Sequence, residues 1–118
     1  VVITIARQTG DIKTFQQSCN LLWLAISLGD QKRYGEGFQF LKESLEIRKV
    51  LFGLASDEVS EIYITLSAFY ELSGDYDSAV ELIENGLADS KNLLGGDDEH
   101  SARFVKRINS LLEKKKGL

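Results

Sequence analysis

A corner that recurs at a fixed step constrains this chain more than any other feature. Gly74-Asp75-Tyr76-Asp77-Ser78-Ala79 has the form of a turn between two helices. Glycine can take the left-handed conformation that ends a helix, and Asp75 or Asp77 can cap the first amides of the next one. Tyr76 and Ala79 are three residues apart, so both can face back onto the helix before. Tyr34 stands 42 residues ahead of Tyr76, Leu45 42 ahead of Leu87, and Gly53 42 ahead of Gly95. A fixed period of this size requires stacked supersecondary units rather than one closed core.

The spacing predicts an all-α fold of two helical hairpins and a lone terminal helix. Thr14-Phe15-Gln16-Gln17 has the form of a capping box. A helix is expected from there to about Leu28, with Leu21, Leu24, Ala25 and Leu28 as its buried stripe. A second helix is expected over 31–52, lined on one side by Tyr34, Phe38, Leu41, Leu45 and Val50. Gly35 and Gly37 lie inside it. Each costs about 1 kcal/mol relative to alanine, which close packing at Gly37 would offset. Asp57 is expected to cap a third helix with the inner stripe Tyr63, Leu66, Ser67 and Tyr70. The fourth helix, to about Leu94, presents Ala79, Ile83, Gly86 and Leu87. Gly95-Gly96 breaks the chain, and Asp97 or Asp98 opens a fifth helix with Val105, Ile108 and Leu112 as its stripe. Residues 14–53 are then a first repeat, 54–96 a second, and 97–118 a capping helix. Val1-Val2-Ile3-Thr4-Ile5 reads as strand by propensity. The 42-residue step instead puts Ile3 and Ile5 level with Leu45 and Ile47, so residues 1–13 are expected to be the severed tail of a preceding helix.

Composition narrows the class. The chain of 118 residues has no proline, which suits long helices, and no methionine, from which it is read as an excised or processed segment. The lone Cys19 excludes an internal disulfide and fits a reducing compartment, cytoplasmic or other intracellular. No apolar run reaches transmembrane length, so no membrane insertion is expected. Residues 53–100 carry twelve acids against Lys91 alone, whereas residues 101–118 carry six basic residues against Glu113. The acidic middle argues against nucleic-acid binding.

Little here points to chemistry. His100 and Cys19 lie near opposite ends of the chain, whereas a nucleophile pair needs hydrogen-bond reach. No catalytic residue, cofactor or metal is therefore expected. His100 is expected at the surface of a helix start, and Cys19 packed. Asp97-Asp98-Glu99-His100 reads as capping and solubility, since consecutive residues at a helix start diverge instead of converging on an ion. Trp23 sits next to the buried stripe and is expected to pack between neighbouring repeats; exposed, it would be a binding anchor. Lys114-Lys115-Lys116 reads as a solvated terminus.

The pattern over 63–87 resembles the tetratricopeptide repeat. Tyr63 precedes Leu66 and the small Ser67, then Tyr70; Gly74 and Tyr76 follow, then Ala79, Ile83, the small Gly86 and Leu87. Leu21, Leu24, Ala25, Leu28, Tyr34, Gly37, Leu41, Ser44 and Leu45 stand in the same places one step earlier. Lys32 replaces the corner glycine there, so that corner is expected to differ in shape. Asn109 sits where the fifth helix would have a small residue. The 42-residue step, with Val50-Leu51-Phe52-Gly53 and Asn92-Leu93-Leu94-Gly95 closing the two units, is similar to the longer repeat of kinesin light chains. The usual His-Pro after the glycine is missing.

This resemblance implies a right-handed α-α superhelix whose first helices line a concave peptide groove. It implies a non-enzymatic scaffold or adaptor for protein–protein interaction. Carried over by spacing, the groove positions are Cys19, Leu22 and Ile26, then Glu61, Ile64, Ala68, Glu71 and Leu72, then Arg103, Lys106 and Ser110. Leu22, Ile26, Ile64 and Leu72 would give an apolar floor beside Ala68, and Arg103 and Lys106 a basic end. The expected partner is a protein or peptide with hydrophobic anchors and acids. Ile64 and Ala68 stand where some members hold a C-terminal carboxylate, which argues against that mode. The alternative is a structural or oligomerisation segment of a larger assembly, with self-association in place of a free-peptide groove.

Overall fold

The computed structural model describes the backbone of residues 2–95 and 98–117, and side chains from residue 14 onward. Five helices follow one another: α1 (Val2–Asp30), α2 (Tyr34–Phe52), α3 (Asp57–Leu72), α4 (Tyr76–Leu94) and α5 (Glu99–Lys116). No strand occurs among the described residues. The chain divides into two compact units, Val1–Leu51 and Phe52–Leu118.

In the first unit, α1 runs unbroken through Thr14. The boundary expected at a capping box is therefore not seen. An N-cap requires its own residue to leave helical geometry, and Thr14 stays helical. Helix also overrides the strand propensity of 2–5. Side chains of 1–13, including Ile3 and Ile5, lie outside the described residues. Leu21 and Ala25 are buried as expected, but Leu24 is exposed and Leu22 takes the inward place.

The hairpin α1–α2 is held by a buried polar contact. Ser44 Oγ donates to the Ser18 carbonyl at 2.9 Å, and Arg48 Nε donates to Ser18 Oγ at 3.1 Å. Arg48 is only 1% exposed, and its guanidinium lies 5.3 Å from the Phe15 ring centroid. Burying a guanidinium is costly unless its donors find acceptors and a polarisable face, which Ser18 and Phe15 supply. Leu41 and Leu45 are buried, and Gly37 is buried with them; Val50 instead points into solvent.

The two corners are alike. Gly74 has φ 88° and its N–H reaches the Glu71 carbonyl, while the Asp75 N–H reaches Tyr70. Forty-two residues earlier, Lys32 has φ 62°, its N–H reaches Gly29, and the Arg33 N–H reaches Leu28. This is the Schellman pattern both times. The change of shape expected for the first corner is not seen, because the hydrogen bonds fix the backbone and Lys32 accepts the left-handed conformation. Helix α2 accordingly begins at Tyr34, three residues later than expected.

In the second unit α4 packs against both α3 and α5, and α5 makes a smaller contact with α3. The N-cap of α3 is Ser56, whose hydroxyl accepts from the Val59 N–H, instead of Asp57. Asp57 is the first helical residue, where its charge suits the positive helix end. Asp75 caps α4 through Ser78, and Asp98 caps α5 through Ser101. The hydrogen bonds from Ser78 and from Ser101 favour the ionised form, so both capping carboxyls are held below their ordinary value. Gly96 and Asp97 lie outside the described residues. Tyr63, Leu66 and Ser67 of α3 and Ala79, Ile83 and Gly86 of α4 are buried, with Gly86 against Tyr63. The stripe of α5 differs from expectation by one residue. Phe104 and Leu111 are buried, while Val105 and Leu112 are 42% and 40% exposed. Phe104 wins because its ring stands edge-on to Tyr63 and fills the space left by Gly86.

Candidate functional site

The groove positions named from the sequence separate into those the fold presents and those it covers. Leu22 is 5% exposed, so it belongs to the core. Ile26 is half-buried on α1. Ile64 and Ala68 are half-buried and Leu72 is 62% exposed, one helical turn apart in succession along α3. Lys106 is exposed and Arg103 is partly so.

Ile64, Arg103, Lys106 and Ser110 come together with Arg107 around one open hollow of about 260 Å3 between α3 and α5. This volume lies below the range of about 300–1,000 Å3 usual for small-molecule sites, so it suits a side-chain tip better than a free metabolite. Spacing explains the wall: residues 103, 106, 107 and 110 share one face of a helix. Arg107 was not named from the sequence, although its place one turn after Arg103 was the available signal.

Arg107 anchors the two helices. Its Nε donates to Ser67 Oγ at 2.9 Å, and its Nη2 lies 3.0 Å from Glu71 Oε1. Lys114 Nζ donates to Glu71 Oε2 at 2.9 Å. Burial pushes the Glu71 carboxyl up, but Lys114 and Arg107 outweigh it and hold the group below its ordinary value. Arg103 is shared at 3.7 Å between Asp57 and Glu99, both more exposed than itself. Such solvated pairs are weak, so Arg103 can exchange them for another carboxylate. Of the three terminal lysines, Lys114 and Lys115 are engaged, with Glu71 and Asp77.

His100 is not a free surface residue. Its Nδ1 lies 3.1 Å from Ser60 Oγ and 3.4 Å from Asp57 Oδ1. Both groups approach the same ring nitrogen, so the three do not form a relay in which the imidazole carries a proton from one to the other. The contact ties α5 to the first turn of α3. Cys19 is half-buried and free, with Arg48 Nη2 3.5 Å from its sulfur. Among the described residues no three His, Cys, Asp or Glu side chains converge as a metal site. Trp23 is 67% exposed beside Asn20, Leu24 and Ser27, and is not packed as expected. No helix of the described residues is long and apolar enough to cross a membrane.

A tetratricopeptide repeat profile matches residues 16–103. Two curated relatives are similar over shorter stretches. A clustered mitochondria protein homolog of Neurospora crassa is 43% identical over 53 residues, 45% of this chain and 4% of its own length. A protein of the same name from Coccidioides immitis is 32% identical over 68 residues, 58% of this chain and 5% of its own length. The chain thus spans only a small fraction of the length of these relatives.

Proposed function

The chain belongs to the tetratricopeptide repeat family, and on that premise we propose that it is a non-enzymatic interaction segment that holds a partner peptide along α3 and α5. The single observation that carries this reading is the hollow in which an apolar floor, Ile64, meets the basic side chains Arg103 and Lys106. Ala68 and Leu72 continue the apolar row along α3. The partner that fits is a short segment with hydrophobic anchors and an acidic stretch beside them. Buried anchors would supply most of the affinity, and charge would steer and orient the encounter. The names of the curated relatives extend the reading: the segment would serve a protein of the clustered-mitochondria kind. A reducing intracellular compartment is proposed with it.

The test is titration of the 118-residue chain with labelled peptides that combine leucine or phenylalanine anchors and glutamates, against scrambled and neutralised controls. Ile64→Asp should abolish binding while leaving the helical circular dichroism intact. Arg103→Glu with Lys106→Glu should slow association and flatten its salt dependence. Equal binding by all three proteins would remove this face from the function.

A further inference from the structure

Two arginines of this chain are held by the same local device. Ser18 Oγ donates to the Phe15 carbonyl at 2.7 Å and accepts from Arg48 Nε at 3.1 Å. Ser67 Oγ donates to the Ile64 carbonyl at 2.7 Å and accepts from Arg107 Nε at 2.9 Å. In each case a helical serine bonds back one turn and takes the arginine of a neighbouring helix with the same oxygen. The residue three places before the serine then differs. The Arg48 guanidinium lies over the Phe15 ring, 5.3 Å from its centroid. Ile64 has no ring to offer, and it lines the open hollow of about 260 Å3 together with Arg107.

We propose that an aromatic side chain of a partner peptide enters this hollow and stacks on Arg107, completing from outside what Phe15 completes for Arg48. Arg107 is prepared for it. Its contacts with Ser67 and Glu71 engage N–H groups, which point outward in the plane of the guanidinium, so they hold its edge and leave its faces to a ring. Size permits the ring, since a cavity of about 150 Å3 already holds a benzene molecule. Charge selects a ring over an aliphatic anchor. Arg103, Lys106 and Arg107 line the hollow beside Ile64 and Ser110, and a cation is attracted to the electron-rich face of a ring but not to a leucine. The aliphatic stems of the three cations join Ile64 as apolar walls. An acid beside the ring then reaches Lys106, which is exposed. The inference rests on the peptide-binding reading and narrows it: of leucine and phenylalanine anchors, this seat takes the aromatic one.

Titration of the 118-residue chain with labelled peptides tests the choice. The peptides differ only at the anchor, which is phenylalanine, cyclohexylalanine or leucine beside the same glutamates. Cyclohexylalanine keeps the shape and apolarity of the ring and removes its electron-rich face. The phenylalanine peptide should bind about two- to fivefold tighter than the cyclohexylalanine peptide. The Ile64 δ-methyl resonance should shift by the ring current with phenylalanine and not with cyclohexylalanine. Ile64→Phe supplies the ring from within, as Phe15 does, and should weaken the phenylalanine peptide at least about tenfold while the helical circular dichroism stays. Cyclohexylalanine binding as tightly as phenylalanine, with Ile64→Asp still abolishing both, overturns the aromatic choice and leaves the peptide site standing. Wild-type affinity in Ile64→Phe overturns it as well. Absence of binding by every peptide overturns it together with the peptide-binding reading.

Discussion

Replacing Gly86 tests the packing of the second unit most directly. A Cβ at this position would lie 3.2 Å from Phe104 Cζ, 3.3 Å from Cε2 and 3.4 Å from Tyr63 Cδ2. Phe104 is fully buried and stands at 89° to Tyr63, with ring centroids 6.0 Å apart. Alanine needs the Phe104 ring to move by only a few tenths of an ångström, and it gains about 1 kcal/mol of helix propensity, so Gly86→Ala should be close to neutral. Gly86→Leu adds three further carbons to a filled space. Overpacking of this kind costs about 1–3 kcal/mol. Disturbing the edge-to-face pair adds about 0.5–1.5 kcal/mol. Better helix propensity offsets about 0.8 kcal/mol. The net loss is roughly 2 kcal/mol, which at this chain length lowers Tm by roughly 6–12 °C. Urea unfolding followed by circular dichroism gives the free energy. A double-mutant cycle with Phe104→Ala isolates the cause. That change alone should cost about 3–5 kcal/mol, and the pair should cost at least about 1 kcal/mol less than the sum of the singles. An unchanged midpoint for Gly86→Leu, or strict additivity with Phe104→Ala, would refute the close approach of α4 and α5.

The corners give a second test, of opposite sign at two aligned positions. Lys32→Gly should stabilise by up to about 1 kcal/mol, since only glycine takes the left-handed conformation without steric cost, and Gly74→Ala should destabilise by about 1–2 kcal/mol; equal effects at the two sites in thermal melts would contradict the shared geometry. Acid gives a third. Glu71, Asp75 and Asp98 all have lowered values in the fold, against ordinary values of 4.5, 3.8 and 3.8. Their contribution is complete above those ordinary values and is lost as pH falls through the lower folded ones. Stability should therefore be flat from about pH 7 to about pH 5 and fall below about pH 4.5, and Glu71→Gln should flatten part of that fall; an identical slope in the variant would show that the ion pair with Lys114 and Arg107 adds nothing.

The sequence determined by itself what is local or periodic. The glycine corner and the buried rows Tyr63–Leu66–Ser67 and Ala79–Ile83–Gly86 are readable because each rests on neighbours within one hairpin, and the 42-residue step because the same local pattern recurs in the chain. So are Arg103 and Lys106 on α5, whereas Arg107 was missed. Tertiary structure decided which of two adjacent stripes turns inward. On α5, Phe104 and Leu111 are seven residues apart, and so are Val105 and Leu112; a helical period admits both, and only Tyr63 and the space at Gly86 select the first. On α1 the period likewise admits either row, and the fold buries Leu22 and exposes Leu24. Arg48 is charged, and nothing beside it in the chain marks it as buried; Ser18 and Phe15, about thirty residues earlier, make burial tolerable. His100 is drawn in by Ser60 forty residues away. Lys32 keeps a glycine conformation because the Schellman hydrogen bonds around it outweigh its side-chain preference. Periodicity is a property of one helix, whereas burial is a property of two, and only the fold brings the second helix.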